Sequence, residues 1–539
     1  MGQTPLNLIP RPESCVVTEG AFSLGPGTTV AEAPEAAGAA AQVRALLCPA
    51  TGFALPPSGR ERGNVIVLAI DREDRGLGDE GYRLLVTPDV VELRAARRAG
   101  LGNAIQTLRQ LLPPEILGSE VVRGCQWTVP CAEITDRPRF AWRGAHLDVA
   151  RHYLPTRFLL RYVDLLALHK LNVLHLHLTD DQGWRMEVRR YPRLTGVGAW
   201  RSQSMVGDPA ELRFDGVPHG GYYTQAELAA VVAHAASRGI TVIPEIDMPG
   251  HCQAAIAAYP ELGCPPGRPV QVATAWALPV ELLNTEDSTV AFFRNVLAEV
   301  VEVFPSPFIH VGGDECPTQR WREDPRAQAR MRALGLSSEA GLQNWFISQM
   351  GGFLSEAGRR MVGWDEIMDG GLAPGAVVMC WRGEACEVAA ARAGHDVVMA
   401  SQEYTYLDWA QSADPAEPVA FGKPDTHVTP LEKVYGYEPV PAALSAEEAR
   451  HVIGTQCQLW TEHVATPEHV EYMAFPRVCA LAEVAWSPQG RNWDDFLSRL
   501  RGHLRRLDAA GVSYHPIEGP ARPPAGAVLR SQPGGPHST

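Results

Sequence analysis

The chain has 539 residues, 45% of them hydrophobic and 20% charged, which excludes a fibrous or largely disordered protein and supplies a large core. Forty-eight basic against sixty-two acidic side chains give a net charge of −14, a surface that repels phosphate backbones, so no nucleic-acid partner is expected. No stretch approaches the roughly eighteen uninterrupted apolar residues of a membrane span.

Met1-Gly2-Gln3-Thr4-Pro5 lacks a basic segment followed by an apolar run, and the eleven cysteines form no CxxC pair. The expectation is a cytoplasmic protein with reduced thiols. Cys125 with Cys131, and Cys252 with Cys264, are near enough in sequence to leave local disulfides open.

Residues 1–137 read as a smaller α+β domain. Asn64 to Ile70 is rich in β-branched residues, and Tyr82 to Val86 with Val90 to Arg94 flank a Thr87-Pro88-Asp89 turn as a hairpin would. Leu101, Ile105, Leu108 and Leu112 recur at helical spacing until Pro113-Pro114 stops them. Nothing in this segment suggests chemistry. Pro138 marks the boundary.

From residue 138 to about 515 short apolar runs alternate with helical patterns. The runs are Ala145 to Asp148, Val173 to Thr179, Ile240 to Ile246, Phe308 to Gly312, Met361 to Trp364, Val377 to Trp381, Val397 to Ala400 and Thr455 to Trp460. Buried parallel strands read as continuous apolar runs of this kind. Between them, Leu159, Tyr162, Val163 and Leu166 share one face, and Thr224 with Glu227 makes a capping box before a helix that Gly239 ends. Ser445 with Glu448 repeats the box before the last strand. Eight strands alternating with helices predict an α/β fold, a (β/α)8 TIM barrel. Residues 516–539, rich in Pro, Gly and Ser, are expected to be a disordered tail.

Active sites of such barrels lie at the C-terminal ends of the strands. There the sequence places Asp148 and Arg151, Asp180-Asp181, Asp247 and His251, Asp314-Glu315, Trp364-Asp365-Glu366, Trp381, Tyr406 with Asp408, and Trp460 with Glu462. Aromatic faces stack on sugar rings while carboxylates and Arg fix hydroxyl directions, so this rim suits a neutral carbohydrate. In His310-Val311-Gly312-Gly313-Asp314-Glu315 the glycines permit a tight turn that delivers two consecutive carboxylates to one pocket. Two such like charges cannot both ionise easily, so one pKa should rise, as a general acid requires.

HVGGDE at 310–315, DVARHY at 148–153, HLHLTDDQGWR at 175–185, PEIDMPGH at 244–251, YLD at 406–408 and LWTE at 459–462 together resemble glycoside hydrolase family 20, the β-N-acetylhexosaminidases, bacterial type. EGYRLLVTPD and QTLRQLL in the first domain are similar to the family as well. The resemblance implies a retaining hydrolase without an enzymic nucleophile, in which the substrate's 2-acetamido oxygen attacks the anomeric carbon. It implies Glu315 as acid and then base, Asp314 holding the acetamido N–H, and Tyr406 donating to its carbonyl. Arg151, Asp408 and Glu462 would grip ring hydroxyls, Trp345, Trp364 and Trp460 would wall the sugar, and Asp180 with His251 would stand behind the acid. No cofactor or metal is implied, and the partner is a small β-linked N-acetylhexosaminide. Trp381, Trp409 and Trp276 are open candidates for the leaving-group side. Two other readings compete. His175-Leu176-His177 has the alternate spacing of a barrel metal hydrolase, but later strand ends carry Trp, Tyr and Glu where that site needs further ligands. A sugar-binding barrel without turnover is the other, and it usually shows as loss of the acid.

Overall fold

The computed structural model describes residues 6–59, 63–207, 211–276, 280–372, 375–422, 426–520 and 527–528. The first domain is one six-stranded sheet in the order Ser14–Ser23, Thr128–Asp136, Tyr82–Val86, Val90–Ala95, Val65–Ile70, Thr29–Glu32. Its hairpin pairs Val86 with Val91 across the turn, and the helices Ala39–Thr51 and Arg98–Leu111 pack their apolar faces into the same core as the sheet.

The second domain is a closed barrel of eight parallel strands in sequential order: Trp142–Asp148, Val173–His177, Thr241–Glu245, Phe308–His310, Arg360–Trp364, Val377–Cys380, Val397–Met399 and Val452–Cys457. Each overlaps one of the eight apolar runs, the last strand starting three residues before its run. Because side chains alternate along a strand, each strand serves two layers. Leu147, Leu174, Leu176, Val242 and Ile309 face the surrounding helices in the main core. Val173, Ile243, Val362, Met379 and Val398 fill the interior with Trp142 and Trp364. Toward the C-terminal end that interior turns polar, with His146, His175, His177, Glu245 and His310 all fully buried.

Both capping boxes form. Thr224 N–H donates to Glu227 Oε2 at 2.8 Å, and Glu227 N–H returns to Thr224 Oγ1 at 3.2 Å, opening the helix Gln225–Ser237. The same reciprocal bonds join Ser445 and Glu448, but only a single 3-10 turn, Glu448–His451, follows before the last strand.

The two domains share a buried polar knot. Asp136 Oδ2 accepts from Tyr82 and Lys170, each within 2.8 Å, while its Oδ1 accepts from Trp486 Nε1 at 2.9 Å. Beside it Arg143 makes a two-pronged ion pair with Glu80. The cysteines are free thiols, Cys252 and Cys264 bonding instead to Asp247 O and Asp324 Oδ2. The expected tail lies outside the described residues except for 516–520 and 527–528, and there Val528 O accepts from Val419 N at 2.7 Å. Among the described residues no helix is long and apolar enough to cross a membrane.

Candidate active site

The strand Phe308–His310 ends in a run of residues whose backbone conformation is uncommon. Gly312 and Gly313 have φ of 67° and 97°, and Glu315 follows at 42°. A Cβ on Gly312 would sit 1.7 Å from Asp247 Oδ1, the atom that accepts Gly313 N–H at 3.1 Å. Only glycine allows this turn, and the turn brings Asp314 and Glu315 to the barrel mouth.

His251, itself at a φ of 50°, stands behind the pair. Its Nε2 lies 3.5 Å from Glu315 Oε2 and 3.7 Å from Asp314 Oδ2, and its Nδ1 lies 3.1 Å from Asp180 Oδ1. Asp181, the alternative member of the relay, stands farther off at 3.9 Å and instead accepts Gln253 N–H. Burial opposes a charge on His251, yet Asp180, Glu315 and Asp314 together hold its pKa well above the ordinary value. Asp314 is pushed up to about 6, by burial first and then by Glu245 and Glu315, with His251 pulling the other way. Its Oδ1 has no hydrogen-bond partner among the described residues and is free for a ligand.

Across the mouth Asp148 ties the first strand to the last: its oxygens accept Ala150 N–H at 2.8 Å and Thr461 N–H at 3.1 Å. This sets the loop that carries Arg151. The guanidinium contacts Asp180 at 3.0 Å, Asp148 at 3.3 Å and Glu462 at 3.9 Å, and lies over the Trp460 ring. Asp408 Oδ1 and Glu462 Oε2 are buried without partners among the described residues, and burial raises both carboxyls. Trp364 and Trp460 meet at 5.8 Å between ring centroids, and Tyr406 lies 6.4 Å from Trp460. Burial and neighbouring Asp408 and Asp314 keep the Tyr406 hydroxyl protonated, a donor.

The structure therefore gathers Arg151, Asp180, His251, Asp314, Glu315, Trp364, Tyr406, Asp408, Trp460 and Glu462 at one mouth. Trp345 is not among them. It sits in the helix Glu339–Glu356, two residues after Gln343, whose amide reaches Gly313 O at 2.7 Å. Two helical residues are a rotation of about 200°. The Trp345 ring accordingly faces Arg330 and the cluster around Trp321 and Leu342. Of the aromatic candidates for the leaving-group side, Trp381 is tied to Glu366 at 3.0 Å and stacks on Tyr406, while Trp276 and Trp409 are buried.

Two residues have a part in the site that the sequence reading did not give them. His177 donates from Nε2 to Asp180 at 2.7 Å and from Nδ1 to Glu245 at 2.6 Å, and Glu245 accepts Trp364 Nε1–H at 2.8 Å. Both residues lie inside recognised motifs, but a partner on another strand depends on register, which spacing alone does not disclose. Some of these side chains approach closely enough to hold a metal ion, His177 with Asp180 and Asp247 and His251 with Asp247 and Asp314 among them. Neighbouring carboxylates raise the pKa of both imidazoles well above the ordinary value.

A closed barrel with its acids, one Arg and two tilted indoles at the C-terminal mouth is an arrangement that glycoside hydrolases use. The chain belongs to glycosyl hydrolase family 20. Residues 140–489 match the family's catalytic domain and residues 5–137 its domain 2. Curated relatives include the β-hexosaminidase of Porphyromonas gingivalis, 39% identical over 95% of this chain and 64% of that protein. The β-N-acetylhexosaminidase of Cellulomonas fimi is 36% identical over 94% of this chain and 95% of its own length. Thus the chain spans just under two thirds of the first relative and nearly all of the second. Among solved structures, the family 20 β-N-acetylhexosaminidase of Streptomyces coelicolor superposes with a TM-score of 0.83 at 33% identity, covering 96% of this chain and 99% of that one. The Streptomyces plicatus enzyme, solved with Thio-NAglucal, gives 0.82 at 33% identity over 96% and 98%.

Proposed function

We propose that this protein is an exo-acting retaining β-N-acetylhexosaminidase that releases terminal N-acetylglucosamine or N-acetylgalactosamine by substrate-assisted catalysis. One observation carries the reading. Asp314 and Glu315 leave one tight turn as consecutive residues and both reach the same nitrogen of His251, at 3.7 and 3.5 Å, so the two carboxyls share one partner and one wall of the mouth can supply both the acid and the group that orients the acetamido N–H. A retaining hydrolase with its own nucleophile needs its two carboxyls on opposite sides of the sugar, roughly 5–5.5 Å apart. Arg151, Asp408 and Glu462 gather beside Trp460 and suit the hydroxyls of the terminal sugar.

In the first step the acetamido oxygen bonds to the anomeric carbon while the glycosidic bond breaks and Glu315 gives its proton to the departing oxygen. Asp314 orients the acetamido N–H and offsets the positive charge of the oxazolinium ring, and Tyr406 donates to the attacking oxygen. Water then attacks the anomeric carbon, Glu315 takes its proton, and the ring reopens to the free sugar. Complexes of the Vibrio harveyi and Streptomyces plicatus relatives with N-acetylglucosamine support the same ligand here. The test is a panel of aryl glycosides. The β-N-acetylglucosaminide should be cleaved and the plain β-glucoside, which lacks the attacking atom, should be nearly inert. Effective molarities of roughly 10⁵–10⁸ M for aligned intramolecular attack make that gap very large. Efficient cleavage of the glucoside would overturn the mechanism.

A further inference from the structure

The hydrogen bonds behind the acid do not stop at Asp180. Glu315 lies 3.5 Å from His251 Nε2, and from His251 the hydrogen bonds run through Asp180 at 3.1 Å, His177 at 2.7 Å and Glu245 at 2.6 Å to the Trp364 indole at 2.8 Å. Every link between His251 and Trp364 is buried. The chain begins at the group that protonates the leaving oxygen and ends at an indole in the wall of the sugar pocket. Glu245 is the branch point, one oxygen facing His177 and the other Trp364.

We infer that Glu245 is a positioning residue for both halves of the site, fixing His177 and through it the Asp180–His251–Glu315 relay, while holding Trp364 in the sugar wall. This rests on the hydrolase reading above. Both nitrogens of His177 meet a carboxylate, so the ring is held as a cation between two anions. Charges then alternate along the row, carboxylate, imidazolium, carboxylate, imidazolium, and each carboxylate fixes the rings beside it. In a low-dielectric interior such a row polarises and stiffens its members. The other groups facing Glu245 are His175 and His310, each 3.1 Å away, with His146, Asp247 and Asp314 nearby. Glu245 also raises the Asp314 carboxyl, whereas His177 lowers it by less. The same buried carboxylate therefore acts on the group that must stay anionic toward the acetamido nitrogen.

Glu245→Gln isolates this role. Its amide oxygen can still accept from Trp364, and its NH₂ can donate to His177 Nδ1, leaving that ring neutral with Nε2–H still directed at Asp180. Hydrogen bonds survive and the charge is removed. Taking Glu245's charge away lowers the Asp314 pKa whether or not His177 keeps its proton. The acid limb of kcat/KM should therefore move to lower pH, by on the order of half a unit. Loss of the fixed relay should cost chitobiose at least about tenfold more than a nitrophenyl glycoside, part of the 10²–10⁴-fold worth of general acid catalysis. If the single variant fails to fold, His177→Gln with Glu245→Gln carries no charge at either position and should show the same two effects. An unmoved acid limb with equal losses on both substrates would make Glu245 a packing residue only and overturn the inference. The wild type's cleavage of the aryl N-acetylglucosaminide tests the hydrolase reading separately, so failure of one is not mistaken for failure of the other.

Discussion

Asp314 and Glu315 are neighbours in sequence yet face different demands. Asp314 must be an anion to hold the acetamido N–H, but burial pushes it up to about 6. Below that pH it is protonated in the free enzyme. The kcat/KM profile, which reports free-enzyme groups, should therefore fall as pH drops through about 6. Asp314→Asn should abolish that limb along with most activity; a limb that persists in the variant would assign it to another group. Glu315 has the opposite task, to give a proton. Glu315→Gln should cost the disaccharide chitobiose roughly 10²–10⁴-fold, and an activated nitrophenyl glycoside far less because its leaving group barely needs the proton. Equal losses measured on the two substrates would place the acid elsewhere. Both residues were legible from HVGGDE, because a Gly-Gly turn at a strand end leaves little else for two acids to do. Trp345 was not correctly legible: its helix was clear but the face it presents depends on which neighbour the helix packs against. Glu245 and His177 were invisible as partners, since only the pairing of Glu245 with His177 across adjacent strands brings them together.

At the scale of elements, the site hangs on the short turn after Phe308–His310. Gly312→Ala would demand a left-handed φ of 67° from a residue with a side chain, at a cost of about 1–2 kcal/mol. Its methyl would also displace Asp247, which anchors Gly313 N–H. Asp314 and Glu315 would shift with the turn, and a displacement of about 1 Å can cost 10²-fold in rate. The expectation is a kcat loss of that order with only a modest drop in melting temperature, read by steady-state kinetics beside calorimetry. Near-wild-type kcat would show that the turn tolerates a side chain. The eight barrel strands were readable because parallel strands covered on both faces leave continuous apolar runs. The outer sheet was only half readable. Ser14–Ser23 is an edge strand with nearly every side chain exposed, so it lacks any apolar pattern. The helix Ala39–Thr51 is built on alanines and carries Pro49 inside, which reads as a break.

At the scale of the whole molecule, the two domains are joined through Lys170, Asp136, Tyr82 and Trp486, and this knot should make them unfold together. Lys170 lies just past the helix Thr156–Leu168 and is buried, its ammonium 2.8 Å from Asp136 and over the Trp486 ring. Burial lowers its pKa and Asp136 opposes that. The partners are not equivalent when one is removed. Lys170→Met leaves Asp136 with donors from Tyr82, Trp486 and Glu13 N–H, so the carboxylate remains solvated by the protein. Asp136→Ala leaves Lys170, among the described residues, with the Tyr82 hydroxyl and the Tyr82 and Trp486 ring faces, and an uncompensated buried charge costs about 3–5 kcal/mol. The aspartate variant should therefore be the less stable of the two. In it Lys170 should shed its proton on folding, while the unfolded chain keeps the proton up to about pH 10.4. The unfolded state then binds more protons, so stability must rise with pH between the depressed folded pKa and that value. Denaturant unfolding at pH 7 and pH 9.5 should show the Asp136→Ala deficit shrinking, whereas the Lys170→Met deficit should not shrink. A deficit that is the same at both pH values would mean that Lys170 stays charged and finds water or another acceptor when Asp136 is gone.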